Sequence, residues 1–93
     1  MKGLTLFYLE HCPYCQAAKR ALEAIAAENP DYARVPIERI EESRSPEIAD
    51  RFDYYNVPSV FLGDRKLFEC APGDSYEVIY NRLRTALDEA LLA

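Results

Sequence analysis

The sequence has little of what secreted, membrane-spanning or nucleic-acid-binding proteins usually need. Its three cysteines are odd in number and too few for the disulfide framework of a small secreted domain. No apolar stretch approaches the roughly 20 residues that cross a bilayer, and the first apolar run, residues 4–9, is too short for a signal peptide. Acidic residues outnumber basic ones by 16 to 11, whereas nucleic-acid-binding domains usually have a basic face. We therefore expect a cytoplasmic protein without a membrane or nucleic-acid partner.

The composition that remains is that of an ordinary folded domain. Apolar residues make up 49% and charged residues 29% of the 93 residues, which leaves room for one hydrophobic core. No internal repeat, low-complexity tract or linker divides the chain. We expect a single domain over residues 1–93, and a monomer, because no obvious surplus of apolar residues is left to form an interface.

The order of apolar segments predicts an α/β fold with a mixed four-stranded sheet in βαβαββα order. A strand, a helix and a second strand open the chain, which implies parallel pairing through a right-handed crossover. A turn at Gly63-Asp64 implies an antiparallel hairpin. Pro36 places the second strand near an edge of the sheet, and Asp74-Ser75-Tyr76-Glu77 matches a capping box. The predicted strands are residues 4–9, 34–40, 57–62 and 66–70, and the predicted helices are residues 13–28, 45–52 and a last one from the capping box to Leu91.

The stretch His11-Cys12-Pro13-Tyr14-Cys15 carries the chemistry. Cys12 stands at the start of the first predicted helix, where free N–H groups and the helix dipole favour a thiolate, the nucleophilic form of cysteine. Cys15 follows one helical turn later on the same face, within reach of a disulfide bond. In a reducing compartment such a pair is catalytic or metal-binding rather than a structural staple. We expect Cys12 to attack a disulfide and Cys15 to resolve the mixed disulfide.

The cysteines leave other interpretations open. They could be buried thiols, or they could bind zinc together with His11 and Cys70, although a structural zinc site usually has a second Cys-x-x-Cys motif. His11 by itself is expected to be solvated. We expect Cys70 to be a buried small apolar residue, with a third redox thiol as the alternative. Tyr14 either exposes its ring to substrate beside the site or packs against the core.

Taken in order, these motifs resemble the glutaredoxins over nearly the whole chain. A strand precedes Cys12-Pro13-Tyr14-Cys15 at a helix start, and Val57-Pro58 precedes a strand and a hairpin. The resemblance implies a thioredoxin-like fold and dithiol–disulfide exchange on protein disulfides or glutathione mixed disulfides. It also implies that the Val57–Pro58 bond is cis and faces the cysteines. We expect Val57 and Pro58 to present their backbone to the substrate as a short strand partner. We expect no tightly bound cofactor.

The chain departs from the family where glutaredoxins bind glutathione. Leu9 stands where a lysine or arginine usually precedes the first cysteine by three residues, and Phe68-Glu69 replaces a Gly-Gly pair. Asp74 can supply the acid that binds the glutathione amino group, and Asp74-Ser75 also resembles the acid-Ser pair of the glutathione transferase N-terminal domain. The expected partners are disulfide-containing proteins and a reductant, either glutathione or a flavoenzyme of the thioredoxin reductase type. A metal-binding or scaffold module on the same fold is the alternative function.

Overall fold

A mixed sheet of four strands forms the middle layer of the molecule. The computed structural model describes all residues, 1–93. The strands are β1 (Leu4–Tyr8), β2 (Ile37–Glu41), β3 (Ser59–Leu62) and β4 (Arg65–Glu69), in the spatial order β2-β1-β3-β4. β1 runs parallel to β2 and antiparallel to β3, and β3 forms an antiparallel hairpin with β4. The predicted sheet is confirmed, and β2, the strand that follows Pro36, lies at an edge.

Four helices flank the sheet, one more than the sequence predicted. They are α1 (Pro13–Glu28), α2 (Pro30–Ala33), α3 (Pro46–Ala49) and α4 (Tyr76–Leu92). The bounds of α1 are those predicted. The additional helix α2 forms because Asn29, which ends α1, also caps a new turn: its side-chain oxygen accepts a hydrogen bond from the Asp31 N–H at 2.9 Å.

Three predicted boundaries are wrong by two or three residues. The second strand begins at Ile37 rather than at 34, because the end of α2 and Pro36 occupy the preceding positions. α3 ends at Ala49 rather than at 52, and the third strand begins at Ser59, which leaves Val57 and Pro58 in the loop before it. These two residues therefore do not pair with β1, and the Val57 carbonyl faces Cys12 instead.

The predicted capping box is also wrong. Ser75, rather than Asp74, is the N-cap of α4, and its hydroxyl oxygen accepts a hydrogen bond from the Val78 N–H at 3.2 Å. The Asp74 carboxylate instead accepts from the Ala71 N–H at 2.9 Å and closes the turn before the helix. The sequence pattern fits either residue as the cap, and the course of the preceding turn decides between them.

The two faces of the sheet bury different sets of residues, because side chains alternate along each strand. On one face, Leu4 and Leu6 of β1 pack with apolar residues of α1 and α4 in the main core. On the other face, Phe7 packs with Ile40 and Phe61 against the region of α3. Cys12 and Cys15 lie beyond the carboxyl end of β1, at the start of α1, which covers the main core.

Candidate redox site

Cys12 is the N-cap of α1 and is half-buried. Its Sγ accepts a hydrogen bond from the Cys15 N–H at 3.4 Å, and Pro13 occupies the first helical position. An N-cap side chain receives backbone N–H groups that have no partner within the helix, and a sulfur with negative charge is favoured there by the helix dipole. The predicted placement of Cys12 at a helix N-terminus is confirmed.

Cys15 lies beneath Cys12 in a different environment. Only 6% of its surface is exposed, and its Sγ accepts from the Leu9 N–H at 3.5 Å. Burial raises the pKa of the Cys15 thiol to about 12, since the thiolate would lose its hydration. The two thiols therefore differ: Cys12 is reachable and capped by an N–H group, and Cys15 is covered and held protonated at neutral pH.

The Val57–Pro58 segment faces the first cysteine. The peptide bond between the two residues is cis, as the resemblance to the glutaredoxins implied. The Val57 carbonyl oxygen lies 3.8 Å from Cys12 Sγ, so the thiol form of Cys12 donates a weak hydrogen bond to it. Pro58 is buried, and it lines a cavity of about 280 Å³ that reaches Cys15 and the basic residues Lys19, Arg39 and Arg44.

Tyr14 connects the cysteine pair to the loop before α4. Its hydroxyl oxygen accepts a hydrogen bond from the Gly73 N–H at 2.7 Å, and its half-buried ring packs against the main core. The ring also lines an open cavity of about 210 Å³ together with Val57 and Cys70. Packing, one of the two predicted roles, is confirmed, and contact with substrate stays a prediction.

Cys70 is buried, as predicted, and it lies near the site. Its Sγ donates to its neighbour's carbonyl, that of Ala71, at 3.6 Å, and it lines the same cavity as Tyr14 and Val57. Burial, together with the nearby Asp74 carboxylate, raises the pKa of the Cys70 thiol to about 11. Cys70 is therefore a protonated thiol at neutral pH.

A family comparison decides what kind of protein has this site. The family model described as glutaredoxin matches residues 4–67, which include both cysteines of the pair and the Val57–Pro58 segment. The chain belongs to the glutaredoxin family. A thioredoxin of Methanocaldococcus jannaschii is similar as well, with 35% identity over 69 residues that cover 74% of this chain and 79% of the relative. Family and cysteine pair together support a thiol oxidoreductase.

Solved structures confirm the thioredoxin-like fold of this glutaredoxin. A thioredoxin of Malassezia sympodialis superposes with a TM-score of 0.66 at 17% identity, over 95% of this chain and 75% of that chain. Thioredoxin 1 of Thermosipho africanus superposes with a TM-score of 0.60 at 21% identity, over 96% of this chain and 97% of that chain. At these identities the likeness concerns the fold alone.

The residues predicted to bind glutathione have local structural roles in this glutaredoxin. Asp74 binds the Ala71 N–H and Ser75 caps α4, and both follow the segment that the family model matches. Neither residue lines the cavity that reaches Cys15 or the cavity lined by Tyr14 and Val57. Their contact with substrate stays a prediction.

The metal-binding alternative has no cluster of ligands to support it. No three His, Cys, Asp or Glu side chains converge as a metal site would require. His11 is exposed beside the motif, as expected for a solvated residue. None of the four helices combines the length and the apolar composition that a membrane span requires.

Two residues of β4 that no sequence motif marked, Lys66 and Glu69, organise the loop in front of Cys12. The Glu69 carboxylate accepts from the backbone N–H groups of Tyr55 and Asn56, and Lys66 binds both Glu69 and the Asp53 carbonyl. The only signal in the sequence was the departure from Gly-Gly at Phe68-Glu69, which marks a position where this glutaredoxin differs from its family.

Proposed function

We propose that this glutaredoxin is a dithiol–disulfide oxidoreductase that reduces protein disulfides or glutathione mixed disulfides through Cys12 and Cys15. The observation that carries the proposal is the contrast between the two thiols. Cys12 is reachable and caps a helix, which suits an attacking thiolate. Cys15 is buried one turn below it and stays protonated until it attacks Cys12 Sγ in the mixed disulfide.

The reaction has two exchange steps. Cys12 thiolate attacks one sulfur of the substrate disulfide, a Cys12–substrate bond forms, and the other substrate sulfur leaves as a thiolate. Cys15 then loses its proton and attacks Cys12 Sγ, which forms the Cys12–Cys15 disulfide and releases the second substrate sulfur as a thiolate. The substrate gains two electrons, and both released thiolates take up protons from water. A reductant returns the pair to two thiols.

The segment around Val57 is proposed to hold the substrate backbone. Val57 lies in the loop before β3 with its carbonyl beside Cys12, and an extended substrate could add to Val57 and Pro58 as a short strand partner. Tyr14 would contact the substrate through the cavity that it lines. Asp74 would bind the amino group of glutathione with the carboxylate oxygen that Ala71 leaves free, beside Ser75.

The proposed reductant is a flavoenzyme of the thioredoxin reductase type rather than glutathione. Leu9 and Phe68-Glu69 support this choice, because they replace residues through which glutaredoxins usually bind glutathione. We further propose a monomer in the cytoplasm, without a tightly bound cofactor, that acts on disulfide-containing proteins. Size-exclusion chromatography with light scattering at two protein concentrations tests the monomer.

The decisive test is turnover of a disulfide-containing protein such as insulin in two arms. One arm supplies NADPH with thioredoxin reductase, and the other supplies NADPH, glutathione reductase and glutathione. We expect turnover in the first arm to exceed that in the second. Cys12→Ser should abolish it in both, and Cys15→Ser should keep only exchange on glutathione mixed disulfides. Cys70→Ala is the matched control and should retain turnover.

Two results would contradict the proposal. Equal turnover of the wild type and Cys12→Ser would show that Cys12 takes no part in the reaction. Stoichiometric zinc in the purified protein, together with slow alkylation of all three thiols, would favour the metal-binding alternative.

A further inference from the structure

We propose that Glu69 is a positioning residue, which holds the loop of residues 53–57 so that the Val57 backbone stays beside Cys12. The proposal rests on the proposed role of Cys12 as the attacking thiol and adds to it the side chain that orients the substrate-facing backbone. It concerns the position where this glutaredoxin has Glu69 in place of a glycine.

Glu69 reaches the loop from the edge strand β4 through charge-assisted hydrogen bonds. Its Oε2 accepts from the Tyr55 N–H at 3.1 Å and from the Asn56 N–H at 2.9 Å. Its Oε1 accepts from Lys66 Nζ at 2.6 Å, and Lys66 also donates to the Asp53 carbonyl at 3.2 Å. One carboxylate and one ammonium group thus bind three backbone groups of the same loop.

The loop has few other polar contacts to hold its backbone. No backbone carbonyl accepts from the Tyr55 or Asn56 N–H group, and the Tyr55 side chain is 90% exposed. The Glu69 side chain, in contrast, is only 17% exposed, so water competes weakly for its oxygens. Hydrogen bonds to a charged, partly covered group are stronger than those between neutral groups. Glu69 is therefore the main acceptor that defines the course of this loop.

The loop leads directly to the Cys12-facing carbonyl. Asn56, whose N–H binds Glu69, precedes Val57, and its carbonyl accepts from the Ser59 hydroxyl at 2.5 Å. The Val57 carbonyl then lies 3.8 Å from Cys12 Sγ. Without Glu69, the Asn56 N–H loses its acceptor. Asn56 directly precedes Val57, whose backbone is proposed to bind the substrate. The helix cap of Cys12 does not involve Glu69, so thiol reactivity and substrate binding can be separated.

The experiment compares Glu69→Ala, Glu69→Gln and Glu38→Ala with the wild type. Glu38 is an exposed residue of β2, the opposite edge strand, and serves as the matched control. KM and kcat are measured for reduction of insulin, and the rate of Cys12 alkylation by iodoacetamide is measured against pH. Hydrogen exchange at residues 55–57 reports the loop directly.

We expect Glu69→Ala to raise KM about tenfold while kcat stays within about twofold, the size expected for loss of hydrogen bonds to a charged group. Cys12 alkylation should change by less than about twofold at each pH, because the Cys15 N–H still caps Cys12 Sγ and only the weak bond to the Val57 carbonyl is loosened. Exchange at residues 55–57 should accelerate. Glu69→Gln should recover part of the KM, because its amide oxygen can accept from both backbone N–H groups, whereas its NH2 group cannot accept from Lys66 as Oε1 does. Glu38→Ala should match the wild type throughout.

Three results would overturn the positioning role. They are an unchanged KM in Glu69→Ala, unchanged hydrogen exchange at residues 55–57, and a parallel fall of kcat and of Cys12 alkylation, which would indicate general loss of structure. Failure of the proposed function looks different, because the wild type would then not reduce insulin at all. Hydrogen exchange and Cys12 alkylation would still decide whether Glu69 holds the loop.

Discussion

At the scale of single residues, three positions along one helix separate two thiols with opposite properties. Cys12 precedes the first turn of α1, so its side chain stays at the surface end of the helix. Cys15 lies on the stripe that Ala18 and Leu22 continue at helical spacing, and this stripe faces the main core. Packing of this stripe against the core therefore buries Cys15, whereas Cys12 at the start of the helix stays accessible.

The buried thiols should make the reduced protein less stable at alkaline pH. The pKa values of Cys15 and Cys70 are raised from an ordinary value near 9.0 to about 12 and about 11. Above pH 9 the unfolded chain loses these protons first, so the folded state binds more protons and stability falls as pH rises. We expect a slope of up to about 1.4 kcal/mol per pH unit for each thiol, measured by urea unfolding between pH 8 and about 11.

The oxidised protein is the matched control for this pH dependence. A Cys12–Cys15 disulfide removes both of these thiols, of which only Cys15 is buried, and leaves the Cys70 thiol in place. The tyrosines and lysines are present in both forms. The reduced protein should therefore lose stability more steeply than the oxidised one. Parallel slopes of the two forms would show that burial of Cys15 does not control its proton.

At the scale of elements, the start of α4 joins the helix to the redox site. The turn before the helix is closed by Asp74 on Ala71, the helix is capped by Ser75, and Tyr14 of α1 binds Gly73 between them. Gly73 has a φ of 93°, a conformation that favours glycine. This arrangement explains why residues predicted to bind substrate also have structural roles.

Ser75→Ala separates these two roles. Loss of the N-cap hydrogen bond to Val78 should lower the free energy of unfolding by about 1 kcal/mol, measured by urea unfolding. If capping is its only role, KM for glutathione mixed disulfides should not change. A Ser75→Asp variant, which restores an N-cap acceptor, should recover the stability. A rise of KM in Ser75→Ala that Ser75→Asp does not reverse would instead support direct contact with substrate.

At the scale of the whole molecule, the sheet separates a large core from a small one. α1 and α4 pack against each other and cover one face, where small residues such as Ala18, Ala21, Ala86 and Ala90 are almost completely buried. The opposite face holds an aromatic group, in which Phe7 packs against Phe52, Tyr54 and Phe61. A longer side chain at one of these buried alanine positions would have to displace its neighbours.

Ala21→Leu tests this tight packing. Ala21 is fully buried in the main core, so the added carbon atoms must displace neighbours, and we expect a loss of about 1–3 kcal/mol in the free energy of unfolding. Ala27→Leu on the exposed side of the same helix is the control and should change stability little. Equal stability of the two variants in urea unfolding would indicate that the α1 core face adapts to larger side chains.

Local patterns in the sequence were sufficient for much of the fold. The period of apolar residues in α1, Pro13 at its start and Asn29-Pro30 at its end predicted both bounds, because helix starts and stops depend on nearby backbone groups. The turn at Gly63-Asp64 predicted the hairpin for the same reason, since the φ of 62° at Gly63 is a property of the turn itself. The cysteine pair could likewise be assigned to a helix N-terminus.

What the sequence alone determined is thus local: most of the elements, the order of the strands along the chain, and the spacing that places Cys12 and Cys15 one helical turn apart. The tertiary structure decided which distant segments meet. It brought Val57 to Cys12 and Cys70 to the same cavity as Tyr14, and it directed Asp74 to Ala71. It also directed Glu69 to the loop in front of Cys12. The reason is physical: a polar side chain binds whichever unpaired backbone group the packing brings near. Such long-range contacts leave no repeating pattern of residues from which they could be predicted.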